Sequence, residues 1–432
     1  MLTFSLCNNR QLVSIPPVYA YADDAIILCK ETTDPPRIQK VLQVFGNVSN
    51  SVINFTKSTF MAITPRGQTK TTRFTNVNEM KVLGILFTPN IMDVIEINWK
   101  DIVKKIRFGI QRHLSRNLNV IKKVWHINTF ILSKIWYFAQ VLPIPEQTAQ
   151  QIEKIGFYLW KGFVFRIARP QCKLSIKEGG LQLINVKSKC DALFIKYIVR
   201  ADHSIDTLVF LSNYVSSLHA SSMTRSLKKL TADANKFLED TNIAPEQITT
   251  KLIYSYLQDQ VRCLPNVQSK FHNKNWKKIW SYFKIPHIPS NWKWESYALI
   301  NGIIMTEERK YMHHIVPNPQ CNKCGTIDTI SHRLTRCSDL SRGIWLWLQQ
   351  KLNNAHKATN PNTNLRIVFD LDLPQTPHYF SILWLAMGFI YYMLQMQTKS
   401  LPDFIKELGR VYLQTDVHVR KKLQILDFLT EE

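Results

Sequence analysis

The stretch that most constrains the fold is CNKCGTIDTISHRLTRC, a cluster of soft metal ligands at positions 321–337. Two cysteines and a glycine predict a tight CxxCG turn, and a histidine and a third cysteine follow within the same 17 residues. Two ligands on a turn and two on the next helix can close a tetrahedron around zinc. Four soft ligands within 17 residues, in a chain with few cysteines, favour zinc over cysteines gathered by chance in a core, and a set with no open position predicts a structural role. The predicted ligands are Cys321, Cys324, His332 and Cys337.

A second constrained stretch, VYAYADDAIILCK at 18–30, predicts two apolar strands joined by a tight turn. Asp23 and Asp24 lie side by side in that turn. Adjacent carboxylates repel each other unless cations neutralise them, and a pair of divalent ions does so in phosphoryl-transfer sites. Turns rich in aspartate are also common without a metal, so an ordinary turn is the alternative at this point.

The charge balance favours a polyanionic partner. Lysine and arginine number 55 against 32 aspartates and glutamates, which gives a formal charge of +23. Nucleic acid is a better match than a membrane surface, with a merely basic protein as the alternative. Residues 1–20 carry no signal-peptide pattern and the cysteines outside the cluster are scattered, so we expect an intracellular, nuclear or cytoplasmic protein that is not secreted.

Periodicity predicts an α+β chain that becomes mostly helical. A hairpin at 12–30, a helix beginning at Asp34, and strands at 59–64 and 81–88 form a small α+β unit. From Ile97 the apolar spacing becomes helical, through Ile110 to Leu114. Most basic runs on helices are solvated faces, and this is the interpretation that the residues alone favour. The basic residues of this stretch are Lys104, Lys105, Arg107, Arg112 and Arg116.

Two later stretches leave a choice between core and function. The segment 271–296 interleaves four tryptophans with lysines, including Lys277 and Lys278, which suits either nucleic-acid stacking or tryptophans in a core. The 16 uncharged residues at 379–394 favour a buried helix over a membrane helix, because a span needs roughly 20 residues. We therefore expect no membrane partner.

Taken in order, the motifs resemble the reverse transcriptase of non-LTR (LINE-type) retrotransposons. YADD at 21–24 is similar to the catalytic hairpin of that family, and SNSVINFTKS at 49–58 to its next motif, with Asn54 and Lys57 at the matching positions. EMKVLGILF at 79–87 resembles the primer grip through Leu83 and Gly84. FYLWKG and KEGGLQL resemble the thumb and post-thumb blocks, and DTISH resembles part of the C-terminal Cys-Cys-His-Cys knuckle.

The resemblance implies part of a right-hand polymerase: a partial palm, then a helical thumb and C-terminal region with a small zinc knuckle. Asp23 and Asp24 would hold catalytic Mg²⁺, Tyr21 would shape the floor under the primer end, and Lys57 would act on the departing pyrophosphate or remain a surface lysine. The basic helix at 97–118 would be the thumb and would contact the phosphates of the primer–template, and RNA template and DNA primer or target would be the partners. Implied regions are 1–92 palm, 93–200 thumb and post-thumb, 201–310 basic-aromatic connector, 311–340 knuckle and 341–432 C-terminal helices.

The departures from the family pattern also carry an expectation. The family uses a third aspartate on a strand ahead of the hairpin, and residues 1–20 contain none. We therefore expect an RNA-directed DNA polymerase by family that is catalytically inactive as this chain. The alternatives are a non-enzymatic zinc-containing nucleic-acid-binding protein derived from such an element, and an inert remnant. The sequence leaves the oligomeric state open.

Overall fold

The computed structural model describes residues 4–8, 11–15, 18–21, 24–29, 34–49, 54–62, 74–157, 167–201, 222–356, 361–395 and 400–423, with 426 and 429. Two compact units are present. Unit 1 comprises Met1–Arg112, Ile131–Gly156 and Asn185–Asp259, and unit 2 comprises His113–Phe130, Phe157–Ile184 and Gln260–Glu432. The predicted five-region division remains a prediction.

Unit 1 contains all the strands among the described residues, arranged as four two-stranded sheets. Three of these are antiparallel hairpins, and β5 pairs with β6 in parallel. The strands are β1 Phe4–Asn8, β2 Gln11–Ile15, β3 Val18–Tyr21, β4 Asp24–Ile27, β5 Thr59–Phe60, β6 Thr75–Asn76, β7 Met80–Val82 and β8 Ile85–Phe87.

A hydrophobic core of unit 1 is formed by residues between 192 and 257, which follow the strands in sequence. Buried residues of three helices form it, including Ile195, Phe237 and Ile253. A separate anchor is the Trp99 indole, which donates a 3.0 Å hydrogen bond to the Pro143 carbonyl. The helices are α1 Asp34–Ser49, α2 Ile91–Gln111, α4 Ser133–Val141, α5 Glu146–Phe157, α7 Val186–Ala201, α8 Ser222–Thr241 and α9 Thr250–Asp259, with a 3₁₀ turn at Pro245–Gln247.

Helices make up most of the described part of unit 2, which also contains an isolated antiparallel bridge between Gln320 and Ile327. Helix α17 buries most of its length, and Trp384 on it meets Trp292 of α12 with ring centroids 4.7 Å apart. The helices are α3 Val120–His126, α6 Arg169–Lys173, α10 Asn266–Lys270, α11 Trp276–Tyr282, α12 Ser290–Ile300, α13 Glu307–Met312, α14 Ile330–Thr335, α15 Asp339–His356, α16 Pro361–Asp370, α17 Tyr379–Gln395, α18 Leu401–Leu413 and α19 Val417–Lys422. Shorter turns are π-helical at Ile127–Ile131 and 3₁₀ at Ile176–Glu178.

The structure supports the mostly helical α+β expectation and the buried-helix interpretation of 379–394. Within the described part of the chain, no helix combines the length and the apolarity needed to cross a membrane. One local expectation was wrong, because the helical spacing predicted through Leu114 ends earlier. Leu114 lies past the end of α2 and is 43% exposed; on α1, Phe45 is 60% exposed. Apolar spacing located α2 without determining where the helix ends or which apolar side chains other residues cover.

Candidate metal centre and nucleic-acid interface

The CxxCG turn forms as the sequence predicts. Gly325 adopts a left-handed backbone with φ 73°, a conformation that glycine reaches without a Cβ penalty. Its amide donates to the Cys321 carbonyl at 2.9 Å, and the Cys321 amide donates to the Thr326 carbonyl at 2.7 Å. These two bonds close the loop around the first two cysteines, so that both thiols lie on one small turn.

The third and fourth ligands come from α14 and the residues that follow it. Thr329 is the N-cap of this helix, and its hydroxyl accepts a 3.0 Å hydrogen bond from the His332 amide. The cap fixes the first turn of the helix. His332 therefore occupies a defined position opposite the CxxC turn, and Cys337 follows two residues after the last helical residue.

The four ligand atoms lie within 4.8 Å of one another. The sulfurs of Cys321 and Cys337 are 3.5 Å apart, and the Cys324 sulfur is 3.2 Å from His332 Nε2. Zinc–sulfur bonds of about 2.3 Å in a tetrahedron place two sulfurs about 3.8 Å apart. The cluster therefore matches the spacing and the donor types of a Cys₃His zinc site and can hold zinc.

The thiols differ in their electrostatic surroundings. Burial raises the pKa of Cys337 to about 12, and contact with Cys321 adds to the rise. The pKa of the exposed Cys324 is lowered by hydrogen bonds with Thr326. Zinc binds thiolates, so a buried thiol such as Cys337 loses its proton favourably only beside a cation. Without one, the cluster would hold the proton on Cys337.

A buried ion pair supports the cluster from behind. The Asp328 side chain is 2% exposed and pairs with Arg333 on α14. The same carboxylate accepts a 2.8 Å hydrogen bond from the Glu307 amide, while Arg333 also donates to the Met305 carbonyl at 3.2 Å. The pair joins the cluster loop, α14 and the start of α13 into one small module.

The YADD stretch forms the predicted hairpin. Strands β3 and β4 are antiparallel, and Tyr21 is paired with Asp24 across the turn. Tyr21 is 69% exposed. Asp23 lies outside the described residues, as does the placement of the Asp24 side chain, so the Mg²⁺ assignment stays a prediction.

Lys57 lies in a turn shaped by the asparagine of the same motif. The Lys57 amide donates to the Asn54 carbonyl at 3.1 Å and to its side-chain oxygen at 3.2 Å. The Lys57 side chain is exposed. Asn54 thus has a local structural role, while the proposed role of Lys57 on phosphates is untested.

The predicted strand at 81–88 is instead a hairpin, the third among the described residues. β7 and β8 flank a turn at Leu83 and Gly84, both with positive φ (46° and 85°). The Tyr137 hydroxyl donates a 2.6 Å hydrogen bond to the Leu83 carbonyl. The apolar run at 81–88 predicted a continuous strand with Gly84 inside it. In the structure Gly84 instead adopts the left-handed conformation of a hairpin turn, which divides the run in two. The predicted primer-grip residues therefore lie at a turn.

All five basic residues predicted between 104 and 116 are exposed. Two have local partners: Lys105 forms a 2.7 Å ion pair with Asp101, and the Arg112 guanidinium lies 4.4 Å from the Phe108 ring centroid. Arg116 lies beyond the end of α2. Exposure is compatible with phosphate contacts and equally with a solvated face, so the nucleic-acid-binding role remains a prediction.

The tryptophans at 276–294 contribute mainly to the core. Trp280, Trp292 and Trp294 are buried, whereas Trp276 is half-buried. Lys277 is exposed, and Lys278 donates a 3.3 Å hydrogen bond to the Leu373 carbonyl. The sequence left two interpretations open, nucleic-acid stacking or core tryptophans with lysines outside. The observed packing agrees with the second.

Sequence reasoning missed the residues that support these sites. The Asp328–Arg333 ion pair was not predicted. An acidic residue just before a helix and an arginine five residues later, inside that helix, could have indicated it. Tyr297 was missed as well; its hydroxyl donates a 2.8 Å hydrogen bond to the Gly179 carbonyl in the KEGGLQL block. Contacts separated by more than a hundred residues leave no local pattern. Most of FYLWKG lies outside the described residues.

Comparison with known proteins gives one partial match. No protein-family model matches the chain. Over 192 residues, 42% of this chain, it is 24% identical to the uncharacterized 149 kDa protein of transposon TX1 from Xenopus laevis. The match spans 14% of that protein, so this chain corresponds to a minor part of its length. The similarity supports a transposable-element-related origin.

Proposed function

We propose that this chain is a nucleic-acid-binding part of a non-LTR retrotransposon reverse transcriptase, stabilised by a structural zinc knuckle. The observation that carries the proposal is the convergence of four soft ligand atoms within 4.8 Å. The partial similarity to a transposon protein and the charge of +23 support the same function. RNA template and DNA primer or target are the proposed partners.

The role proposed for zinc is structural. Three thiols and one imidazole fill all four positions of a tetrahedral ion and leave none for water or substrate. A module of two short helices and a turn has little core of its own, so a bound ion would supply much of its stability. The ion would hold the turn and α14 in place without taking part in chemistry.

The test measures zinc and nucleic-acid binding on the same purified protein. We expect one zinc per chain by elemental analysis, and binding of labelled RNA and DNA that weakens as salt rises. Cys321→Ser should abolish the zinc and weaken binding, while Cys263→Ser, at a half-buried cysteine outside the cluster, should do neither. A metal-free protein that binds nucleic acid as well as the loaded one would contradict the proposal.

Polymerase chemistry is a second candidate, favoured by the pairing of Tyr21 with Asp24 in the YADD hairpin. In this proposal Asp23 and Asp24 hold Mg²⁺, Tyr21 contacts the primer end, Lys57 acts on pyrophosphate, and Leu83 and Gly84 contact the primer. Primer extension on an RNA template with Mg²⁺ tests it. Synthesis that Asp23→Ala abolishes would support polymerase activity and contradict the expectation that this chain is inactive.

A further inference from the structure

Unit 2 exposes two large aromatic side chains that no sequence motif had marked. Trp125 near the end of α3 is 60% exposed, and Phe130 in the following π-helical turn is 49% exposed. Their ring centroids are 5.5 Å apart in an edge-to-face arrangement. Behind them, the His126 ring lies 5.0 Å from Phe130 and 4.1 Å from His113. Four rings thus form a continuous cluster with one open face.

The π-helical turn creates this arrangement. In a regular α-helix, two residues five positions apart point about 140° away from each other. A π turn has wider i→i+5 spacing and brings such residues toward one face. Trp125 and Phe130 are separated by five positions across Ile127–Ile131. Single π turns inside helices frequently occur at functional sites.

Two asparagines hold the segment rigidly within unit 2. Asn119 caps α3, accepting from the Lys122 amide at 2.9 Å, and donates to the Ser290 hydroxyl at 3.0 Å. Asn128, inside the π turn, donates to the Gln182 carbonyl at 2.8 Å and accepts from the Ile184 amide at 3.1 Å. The exposed rings therefore lie on a braced element, which lowers the entropy lost when a ligand stacks on them.

The chain segment that carries the rings has charge of a single sign. Residues 113–130 contain no aspartate or glutamate. Arg116 and Lys122 are exposed, and Lys122 is one helical turn before Trp125. The pKa of His126 is lowered, mainly by burial, and also by the charges of His113 and Arg116. The Arg116 amide donates a 3.1 Å hydrogen bond to the carbonyl of His113, whose ring belongs to the cluster, and the positive charge complements a polyanion.

From the exposed rings and the surrounding cations we infer a binding site for single-stranded nucleic acid, formed by Arg116, Lys122, Trp125 and Phe130. Unpaired bases would stack on Trp125 and Phe130, and the two cations would contact the backbone phosphates. This inference rests on the proposed function and specifies the partner as an unpaired strand. A duplex hides its base faces, so the rings would add little to duplex binding.

The test compares short single strands with duplexes by fluorescence anisotropy. The probes are labelled 15-nucleotide oligo-U and oligo-dT and a mixed-sequence duplex of the same length. We expect Trp125→Ala to weaken binding of the single strands about tenfold, while Trp125→Phe, which keeps a ring, retains most of the affinity. Duplex binding should change less than about twofold. Tyr379→Ala, at a 45% exposed tyrosine of α17, is the matched control.

A charge variant tests the phosphate contacts separately. We expect Lys122→Gln to weaken binding and to reduce the salt slope for single strands by about 0.7. Lys406→Gln, at an exposed lysine of α18, should leave the slope unchanged. Thermal unfolding should be the same in all these variants, since every substituted side chain is exposed.

These measurements distinguish failure of the proposed function from failure of the inferred single-strand site. If the wild-type chain binds neither single strands nor duplex, the proposed function fails and the inference fails with it. If the wild type binds single strands but Trp125→Ala binds them equally well, only the inference is overturned. Self-association that Trp125→Ala abolishes, without loss of single-strand binding, overturns it in favour of an interface between copies.

Discussion

The Cys₃His knuckle and the YADD hairpin are both short local structures, yet they differ in how much of a site each one contains. The knuckle brings four ligands from one stretch of 17 residues within 4.8 Å. The hairpin supplies backbone pairing between Tyr21 and Asp24, and a two-metal site needs further carboxylates from other strands. A site built from local spacing can be inferred from sequence, whereas a site assembled from distant strands cannot.

The largest expected effect is the loss of zinc from the knuckle. Cys321→Ser removes a buried ligand, so zinc content should fall from one per chain to none. Because zinc binding contributes directly to the folding of such modules, we expect the melting temperature of unit 2 to fall by about 10 °C. Calorimetry with and without a chelator measures this effect. A chelator that leaves the melting temperature of the wild type unchanged would show that the knuckle folds without metal.

The second effect separates the ion pair from the metal. Arg333→Ala leaves the Asp328 carboxylate buried with its backbone donor alone, which should cost roughly 3 kcal/mol. Arg336→Ala, at an exposed arginine, should change the free energy of unfolding by less than about 0.5 kcal/mol. Chemical denaturation of the zinc-loaded protein measures both. Equal effects of the two substitutions would mean that the pair contributes no specific support.

The same pair predicts an acid sensitivity. Burial raises the pKa of Asp328, but hydrogen bonds from Arg333 and the Glu307 amide and the nearby positive charges lower it below its usual 3.8. A lowered folded-state pKa contributes stability above pH 3.8 that is lost as the pH falls toward the lowered value. Unfolding followed from pH 5 downward should show this loss in the wild type. In Asp328→Asn the slope should be smaller.

The hairpins should respond less than the knuckle. Gly84→Ala places a side chain at φ 85°, and a Cβ there meets no atom within 4 Å. Only backbone strain remains, so we expect a loss of about 1 kcal/mol. Gly343→Ala lies inside α15, also with nothing within 4 Å, and should instead stabilise the protein by about 0.8 kcal/mol. Opposite signs in urea unfolding would confirm the left-handed turn.

The smallest effect is expected at the YADD turn. Asparagine is as compatible with a turn as aspartate, so Asp24→Asn should change the free energy of unfolding by less than about 0.5 kcal/mol. Thermal unfolding measures it. A large destabilisation would mean that Asp24 has a structural role in unit 1. The hairpin, like the knuckle, would then depend on side chains of its own motif for stability.

The sequence alone determined what depends on neighbours along the chain. The CxxCG spacing, the Thr329 cap and the start of α14 are local, so the sequence alone identifies the four candidate metal ligands. The uncharged run of α17 was likewise predicted as a buried helix. Hydrogen bonds and φ angles within a few residues dominate such features, and their residue types are visible in order.

Tertiary structure decided which faces are covered. Periodicity could not tell that Trp292 packs against Trp384, more than ninety residues away, while Trp125 stays exposed. Nor could it show that a glycine divides 81–88 into two strands, or that a π turn puts Phe130 beside Trp125. Burial depends on contacts between segments far apart in sequence, and a one-dimensional pattern records the apolar residues without recording what packs on them.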